Sequence, residues 1–589
     1  MRCGKRRAGD VTRSRDNGTV HIVLERVGRD IRAVAVAVPA PGDAAHATHE
    51  ADALTDADLP AYVAAREAAP ADGERPRWVW SDTRAWYPAL LAAGVRVERC
   101  VDLTLSHTIL RNSALTADSA LATAPAGPWD TATVLEEAPE PTHSALFDFE
   151  HESTAADADA LSAVAEFTAQ QDAIAGSADP GRLRLLLAAE SAGALIAAEM
   201  RFCGLPYSAE RHDDLLTGLL GPRPAYGRPA VLEELVGRVR AELDAPDLNP
   251  DSPPALLKAL QRAGMLVTST SSWELRELDH PVIEPLLRYK KLSRLLTANG
   301  WTWLESWVHD GRFRPDYVPG GVVTGRWATR GGGALQLPKQ VRGAVVADPG
   351  WKLVVADAAQ LEPRILTGLA GDTAMAAAGR GKDLYAGIVE SGAVDERAHA
   401  KVAMLGAMYG ATTGESGRLM PRLTRAFPRA IRLVEEAARA GERGAIVTSR
   451  LGRSSPPPSA AWRTTQSAAS SADSTAVDER RARSQARDWG RFTRNFVVQA
   501  SAAEWALCWM AELRNRLTAL APGRPLTDSP HLVYFLHDEV IVHTPAELAD
   551  ETAAAVEESA RLAGRLLFGA FPVDFPVTAA VVDSYAEAK

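Results

Sequence analysis

Two short stretches, far apart in the chain, each carry a carboxylate at the end of an apolar run. Residues 352–364 read K-L-V-V-A-D-A-A-Q-L-E-P-R, in which 353–356 have the length and β-branched content of a short buried strand and Asp357 stands at its tip. Residues 532–536 are again apolar, His537-Asp538-Glu539 interrupts, and 540–542 resume, the pattern of a β-hairpin with acids at its turn. A carboxylate at the tip of a buried strand is placed rather than merely solvated. Brought together, Asp357 and Asp538 would hold two hard cations spaced to clamp the attacking and leaving oxygens of a phosphoryl displacement.

Between these acids lies a second pattern. Arg397, Lys401, Leu405 and Tyr409 are each four residues apart, so on an α-helix they form one stripe that drifts slowly round the axis. Alone, such a stripe is usually a half-exposed helix face. With two cations a turn apart at one end, it can also grip β- and γ-phosphates while Leu405 and Tyr409 offer surface to a sugar and base. Arg491, Asn495 and Gln499 repeat the four-residue spacing on a helix predicted over 491–517.

In this order the three segments resemble motifs A, B and C of family A DNA polymerases, the bacterial DNA polymerase I family, and the likeness runs from about Arg182 to Lys589. It implies a template-directed DNA polymerase that adds dNTPs to a primer 3′-hydroxyl, with two Mg²⁺ ions, a primer-template DNA partner and a monomeric chain. By the resemblance, the metal ligands are Asp357, Asp538 and the backbone carbonyl of Ala358, with Glu539 the weaker candidate. Lys401 joins the two aspartates as catalytic. The nucleotide would meet Arg397, Lys401, Leu405, Tyr409, Gln360, Glu362 and His537, and DNA would meet Arg326, Arg491, Asn495, Gln499, Arg288 and Lys291. Glu362 resembles the family's steric gate against a ribose 2′-hydroxyl, whereas Leu405 stands where an aromatic residue is usual. Amides at Asn495 and Gln499 could test minor-groove acceptors shared by all correct pairs.

The elements that must position these residues read as an α/β and α+β multidomain chain. Residues 16–180 are similar to the RNase H-like 3′-5′ exonuclease domain of the same polymerases: strands within 19–40, a strand at 77–80, a helix over 83–93 and a strand again at 95–98. Its acids are mostly missing. Trp86 stands where the second motif's aspartate is expected, no Asp-x-Glu occurs around Leu24-Glu25, and Asp157 retains a third-motif acid although Ser153 replaces its tyrosine. A degenerate exonuclease domain is expected, with Asp82 and Asp102 the nearest substitute acids. Helices then dominate 181–315, where 283–296 carry Arg288, Lys290, Lys291 and Arg294, as a thumb gripping phosphates needs. A right-hand polymerase follows: palm at 316–370, fingers at 371–488 with a flexible Ser/Ala/Pro-rich loop at 454–486, and palm again at 489–589.

Composition narrows the class. Of 589 residues 46% are apolar and 24% charged, the balance of a globular chain. No run approaches eighteen uncharged apolar residues, and the basic opening lacks the apolar core of a secretory signal, so no membrane partner and a cytoplasmic, nucleoid-associated location are expected. The length leaves no room for an amino-terminal 5′-nuclease domain before these regions. Cys3, Cys100, Cys203 and Cys508 show no paired spacing for zinc or disulfides. A net charge of -10 is awkward for a nucleic-acid partner, but arginines gather at 418–432 and 480–494. Three rivals remain at this stage: a single-subunit RNA polymerase, a non-catalytic DNA-binding protein on the same fold, and a polymerase with an active 3′-5′ exonuclease.

Overall fold

The computed structural model describes residues 20–38, 47–68, 75–131, 162–333, 335, 337–410, 414–471 and 473–588. Strand β1 (Val20–Val27) turns through Gly28, at φ +63°, into its antiparallel partner β2 (Asp30–Ala37), the hairpin expected within 19–40. Then come β3 (Ala47–Leu54), α1 (Leu59–Ala68), β4 (Arg77–Trp80), α2 (Thr83–Ala92), β5 (Cys100–Asp102) and α3 (Leu103–Asn112). The sheet order is β3-β2-β1-β4-β5, with β4 parallel to both its neighbours.

Residues 95–98 are not the expected strand, whose place is taken by β5. The carbonyls of Val97 and Glu98 instead accept hydrogen bonds from Arg514 at 2.6 and 2.9 Å, so their pairing capacity is spent outside the sheet. Asp82 and Asp102 both serve as helix caps: Asp82 accepts from the Arg84 amide at 2.8 Å, and Asp102 from Thr83 and Leu105 at 2.7 and 3.0 Å. Asp157 and Ser153 lie outside the described residues.

Helix α4 (Ala163–Ala175) closes this unit by burying Phe167 beside Val23 and Val79, and α5 (Pro180–Cys203), begun by the Asp179 cap, leads out of it. The helical expectation for the next hundred residues holds, with α6 (Ala209–Leu220), α7 (Ala230–Glu242), α8 (Pro253–Arg262) and α9 (Ile283–Asn299). Ser208 and Ser252 cap α6 and α8, and Gly221 at φ +86° follows α6, the stop signal that leaves carbonyls satisfied.

The chain then enters a four-stranded antiparallel sheet with β6 (Trp351–Ala358), followed by α10 (Leu361–Ala370), α11 (Arg397–Tyr409), α12 (Gly414–Ala426), α13 (Pro428–Glu442), α14 (Ala460–Ala469) and α15 (Ala476–Leu520). Strands β7 (His531–Leu536) and β8 (Glu539–Pro545), helix α16 (Ala549–Phe568) and β9 (Val577–Val582) complete it, in the sheet order β7-β8-β6-β9. β6 is central and buries Leu353, Val354, Val355 and Ala356 on both faces, which is why it reads as a continuous apolar run.

The flexible loop expected at 454–486 is a correction. Ser459 caps α14, and a reciprocal Thr475–Asp478 capping box starts the 45-residue α15. The two helices are tied by Gln466 Nε2 to the Ala482 carbonyl at 2.9 Å and by Trp462 Nε1 to Gln485 at 3.3 Å. Low hydrophobicity concealed them, since α14 has no fully buried residue and rests on α15 by its edge. Where α13 crosses α15, a methyl on Gly441 would run into Thr493 and one on Gly490 would stand 3.0 Å from the Ala438 carbonyl, so both crossings need glycine.

The first unit is fastened to the rest by buried charge. Glu199 of α5 takes Arg514 of α15 at 2.7 Å, Arg96 at 2.9 Å and the Tyr87 hydroxyl at 2.7 Å. Burial pushes the Glu199 carboxyl up, but the two guanidiniums outweigh it and hold it well below the carboxylate range.

Candidate active site

Asp357 sits next to last in β6, and β6 pairs antiparallel with β8 so that Asp357 faces Glu539 in register. His537 and Asp538 form the two-residue turn between β7 and β8, with Leu536 opposite Glu539. The Ala358 amide donates to the Asp538 carbonyl at 2.9 Å, stitching the tip of β6 to that turn. The two strand-tip aspartates, 181 residues apart in the sequence, therefore stand on neighbouring backbone.

Two residues beside them are held in the left-handed region: Gln360 at φ +50° and His537 at φ +57°. Neither is glycine, so surrounding contacts must hold each against its preference. For Gln360 these are visible. Its carbonyl oxygen accepts from the Leu384 amide at 3.2 Å, and its amide donates to Asp383 at 3.1 Å. Asp383 in turn takes Arg397 at 2.7 Å and caps the helix Leu384–Glu390. Gln360 and Arg397, both expected at a nucleotide, are thus joined through Asp383, and Arg397 stays largely exposed.

Glu362, in the first turn of α10, is half-buried and shared. Arg326 pairs with one carboxylate oxygen, and the Tyr409 hydroxyl donates to the other at 2.9 Å. Gln499 of α15 donates to the same hydroxyl at 3.3 Å. Burial and then the Glu362 charge push the Tyr409 phenol up. A cleft of about 90 Å³ opens here, lined by Arg326, Leu361, Glu362, His537, Asp538 and the small Ala502 and Ala503 of α15.

On α11 the stripe is real. Arg397, Lys401, Leu405 and Tyr409 are exposed, whereas Ala400, Ala403, Met404, Ala407 and Met408 are buried, and Gly410 at φ +75° ends the helix. Arg494 of α15 donates to the Ala407 carbonyl at 2.8 Å and fixes the end of α11 against α15.

The family model for DNA polymerase family A matches residues 232–587, about three-fifths of the chain. The chain belongs to DNA polymerase family A. It is 26% identical over 362 residues to the thermostable DNA polymerase I of Thermus filiformis, covering 56% of this chain and 39% of that protein. It is 28% identical over 228 residues to DNA polymerase I of Chloroflexus aurantiacus, covering 33% and 24%. The chain thus spans less than half the length of these curated relatives. In fold it is similar to the POL domain of Pol1 from M. smegmatis, solved in complex with DNA primer-template and dNTP: TM-score 0.64 at 18% identity, covering 97% of this chain and 96% of that one. The likeness includes the amino-terminal sheet as well as the region of the three motifs.

Within this family A fold, Asp357, Ala358, Asp538, Glu362, Tyr409, Gln499, Arg326 and His537 gather at one cleft and its rim. Glu539 does not line it: the residue is only 3% exposed, and its charge, after burial, helps push the Tyr585 phenol up. Among the described residues no three His, Cys, Asp or Glu side chains gather as a metal cage. Arg491 pairs with Asp488 on its own helix, and Asn495 Oδ1 is buried without a partner. Arg288 and Lys291 lie exposed on α9, apart from the cleft's lining.

Several supports were not foreseen. Tyr317 donates to the Phe535 carbonyl at 2.8 Å and accepts from its amide at 3.0 Å, two residues before the turn and just past the register slip between Leu532 and Tyr534. Buried Arg453 reaches Glu190 at 2.5 Å and packs under Gly325, whose φ of +81° and contact with the guanidinium leave no room for a side chain. Glu504 of α15 holds the loop that presents Arg453, accepting from Ser449 and from the Leu451 amide at 2.8 Å. Asp383 alone had a sequence signal, an Asp before a helical run. The others are distant pairs that local pattern does not announce.

Proposed function

We propose that this protein is a template-directed DNA polymerase that extends a primer 3′-hydroxyl with dNTPs. The observation that supports it most is the hydrogen bond from Ala358 to Asp538, which sets two half-buried aspartates on neighbouring backbone. Their hard oxygen donors suit Mg²⁺, which takes one or two carboxylates and lets substrate phosphates complete its shell, and so needs no preformed cage. Asp357, Asp538 and the Ala358 carbonyl would hold two such ions, which when bound lower the pKa of the attacking hydroxyl and neutralise the triphosphate. Glu539 acts behind them, as a buried support.

The chain's own side chains supply the positioning on which phosphoryl transfer depends. Lys401 and Arg397 meet the β- and γ-phosphates along α11. Glu362, pinned from both sides, fills the space a ribose 2′-hydroxyl would need and so favours deoxyribonucleotides. Arg326, Asn495 and Gln499 lie against the terminal pair, and His537 at the primer end. Arg288 and Lys291 on α9 grip duplex phosphates, the role of a thumb at 181–315. Residues 316–370 and 489–589 form the palm and 371–488 the fingers.

The amino-terminal unit, 16–180, serves as an inactive exonuclease-like scaffold. Asp82 and Asp102, the acids nearest to replacing the missing ones, are occupied as helix caps. We place the enzyme as a monomer in the cytoplasm on nucleoid DNA; no helix among the described residues is long and apolar enough to cross a membrane. Primer extension with Mg²⁺ and all four dNTPs, beside four rNTPs and a 3′-labelled single strand, tests the whole reading. Extension with dNTPs alone and an intact single strand are the expected results. An inert protein, rNTP use, or a degraded strand would each select a different rival.

A further inference from the structure

The segment that reads as a loop in sequence is a helical arm, and the proposed function leaves it without work. In the first half of α15, Arg480, Arg483, Arg487, Arg491 and Arg494 recur at spacings of three and four. At 3.6 residues per turn they fall within about 80° of arc, one per turn over roughly 20 Å. The opposite face carries Ala482, Trp489, Thr493 and Phe496 and is turned inward, with Ala482 and Gln485 engaged by α14. The first four arginines are exposed. Arg483 pairs with Glu479 at 3.3 Å and Arg491 with Asp488, both exposed contacts within one helix, while Arg480 and Arg487 have no ion pair among the described residues. Exposed pairs of this kind are worth little and yield readily to a phosphate.

The row has a direction. Its last members reach the cleft's rim: the Arg491 side chain lies 3.0 Å from where a methyl on Gly410 would stand, Arg494 holds Ala407, and Gln499 on the same helix bonds Tyr409. Its first members lead away from the cleft toward Thr475. α14, which runs alongside, adds only Arg463 in the span 460–469, and the exposed Arg481 of α15 stands about 120° round the helix from the row's centre, so the row itself is one file of cations. In a chain of net charge -10, one file of guanidiniums ending at the active-site rim matches one strand of phosphates.

The geometry points to the amino-terminal half of α15 as a track for the single-stranded template not yet copied, contacting its phosphates without reading bases. This rests on the polymerase reading above. The test compares equilibrium binding of two primer-templates, with template overhangs of 2 and 10 nucleotides, by wild type and by the triple variant Arg480→Gln, Arg483→Gln, Arg487→Gln. Gln preserves helix propensity, and circular dichroism checks the fold. Wild type should bind the long overhang roughly tenfold more tightly. The variant should lose that gain, lower the salt slope by about 2, and bind the short overhang as before. An overhang gain that survives in the variant overturns the track. A gain seen only when a second strand is annealed to the overhang overturns the single-strand assignment. Failure of wild type to bind even the short-overhang duplex overturns the polymerase reading itself.

Discussion

The Ala358 amide and the Asp538 carbonyl are 2.9 Å apart, and this one hydrogen bond joins a strand tip to a hairpin turn across 180 residues of sequence. Asp357 is thereby carried on a paired strand and Asp538 on a tight two-residue turn tied to it, which fixes where their carboxylates can act. If they hold the ions, Asp357→Ala and Asp538→Ala should each lower primer extension by roughly a thousandfold or more, about 4 kcal/mol of barrier. Primer-template affinity should change less than a few-fold. Near-normal turnover with weakened binding would show the site to lie elsewhere.

Glu362 is restrained by two partners, Arg326 and Tyr409. Removing its bulk in Glu362→Ala should raise ribonucleotide incorporation by roughly two orders of magnitude, a change of about 3 kcal/mol in discrimination. Tyr409→Phe keeps the carboxylate and frees only one side of it, so a smaller rise is expected. Single-nucleotide incorporation of dNTP against rNTP measures both. Equal sugar selectivity in all three proteins would remove Glu362 from the gate.

Lys401 is exposed on the stripe of α11 that ends at Tyr409. Lys401→Ala should weaken use of the incoming nucleotide about tenfold or more in kcat/KM, since one charge-assisted contact to a phosphate is lost. The dissociation constant for primer-template should stay within about twofold. Losing DNA affinity instead would place Lys401 on the nucleic acid.

Burial pushes the Glu504 carboxyl up to about 7, against the opposing hydrogen bonds from Ser449 and the Leu451 amide. The folded chain then keeps a proton that the unfolded chain releases near pH 4. Between those values the folded state binds more protons, so this group's contribution to stability falls as pH rises from about 4.5 toward 7 and is level on either side. Glu504→Gln removes the titration. Urea unfolding should show the stability difference between wild type and variant moving by about 3 kcal/mol between pH 4.5 and 8, to the disadvantage of wild type. A difference that is constant with pH contradicts the assignment.

At the crossing of α13 and α15, Gly441→Ala places a methyl against Thr493. Overpacking of this kind costs about 1–3 kcal/mol, so Tm should drop by several degrees. Thr493→Ala in the same chain should restore part of the loss. Full stability of the single variant would mean that the crossing gives way.

The strand carrying Asp357, the hairpin carrying Asp538 at its turn, the helical stripe of Arg397 to Tyr409 and most helices from 180 to 299 were legible in the sequence. Each is a local pattern, in which alternation, four-residue spacing or a capping residue registers within a dozen positions. Low hydrophobicity at 454–486 masked two helices because α14 and the start of α15 bury little and are held by caps and by the bonds of Gln466 and Trp462 to α15. Tertiary structure alone decided how the aspartates meet, that Glu539 is buried, and that Asp383 links Gln360 to Arg397. It also decided that Glu199 and Arg514, 315 residues apart, fasten the amino-terminal unit. A carboxylate's neighbour across a sheet or between two helices is chosen by register and packing, which no short window of sequence contains.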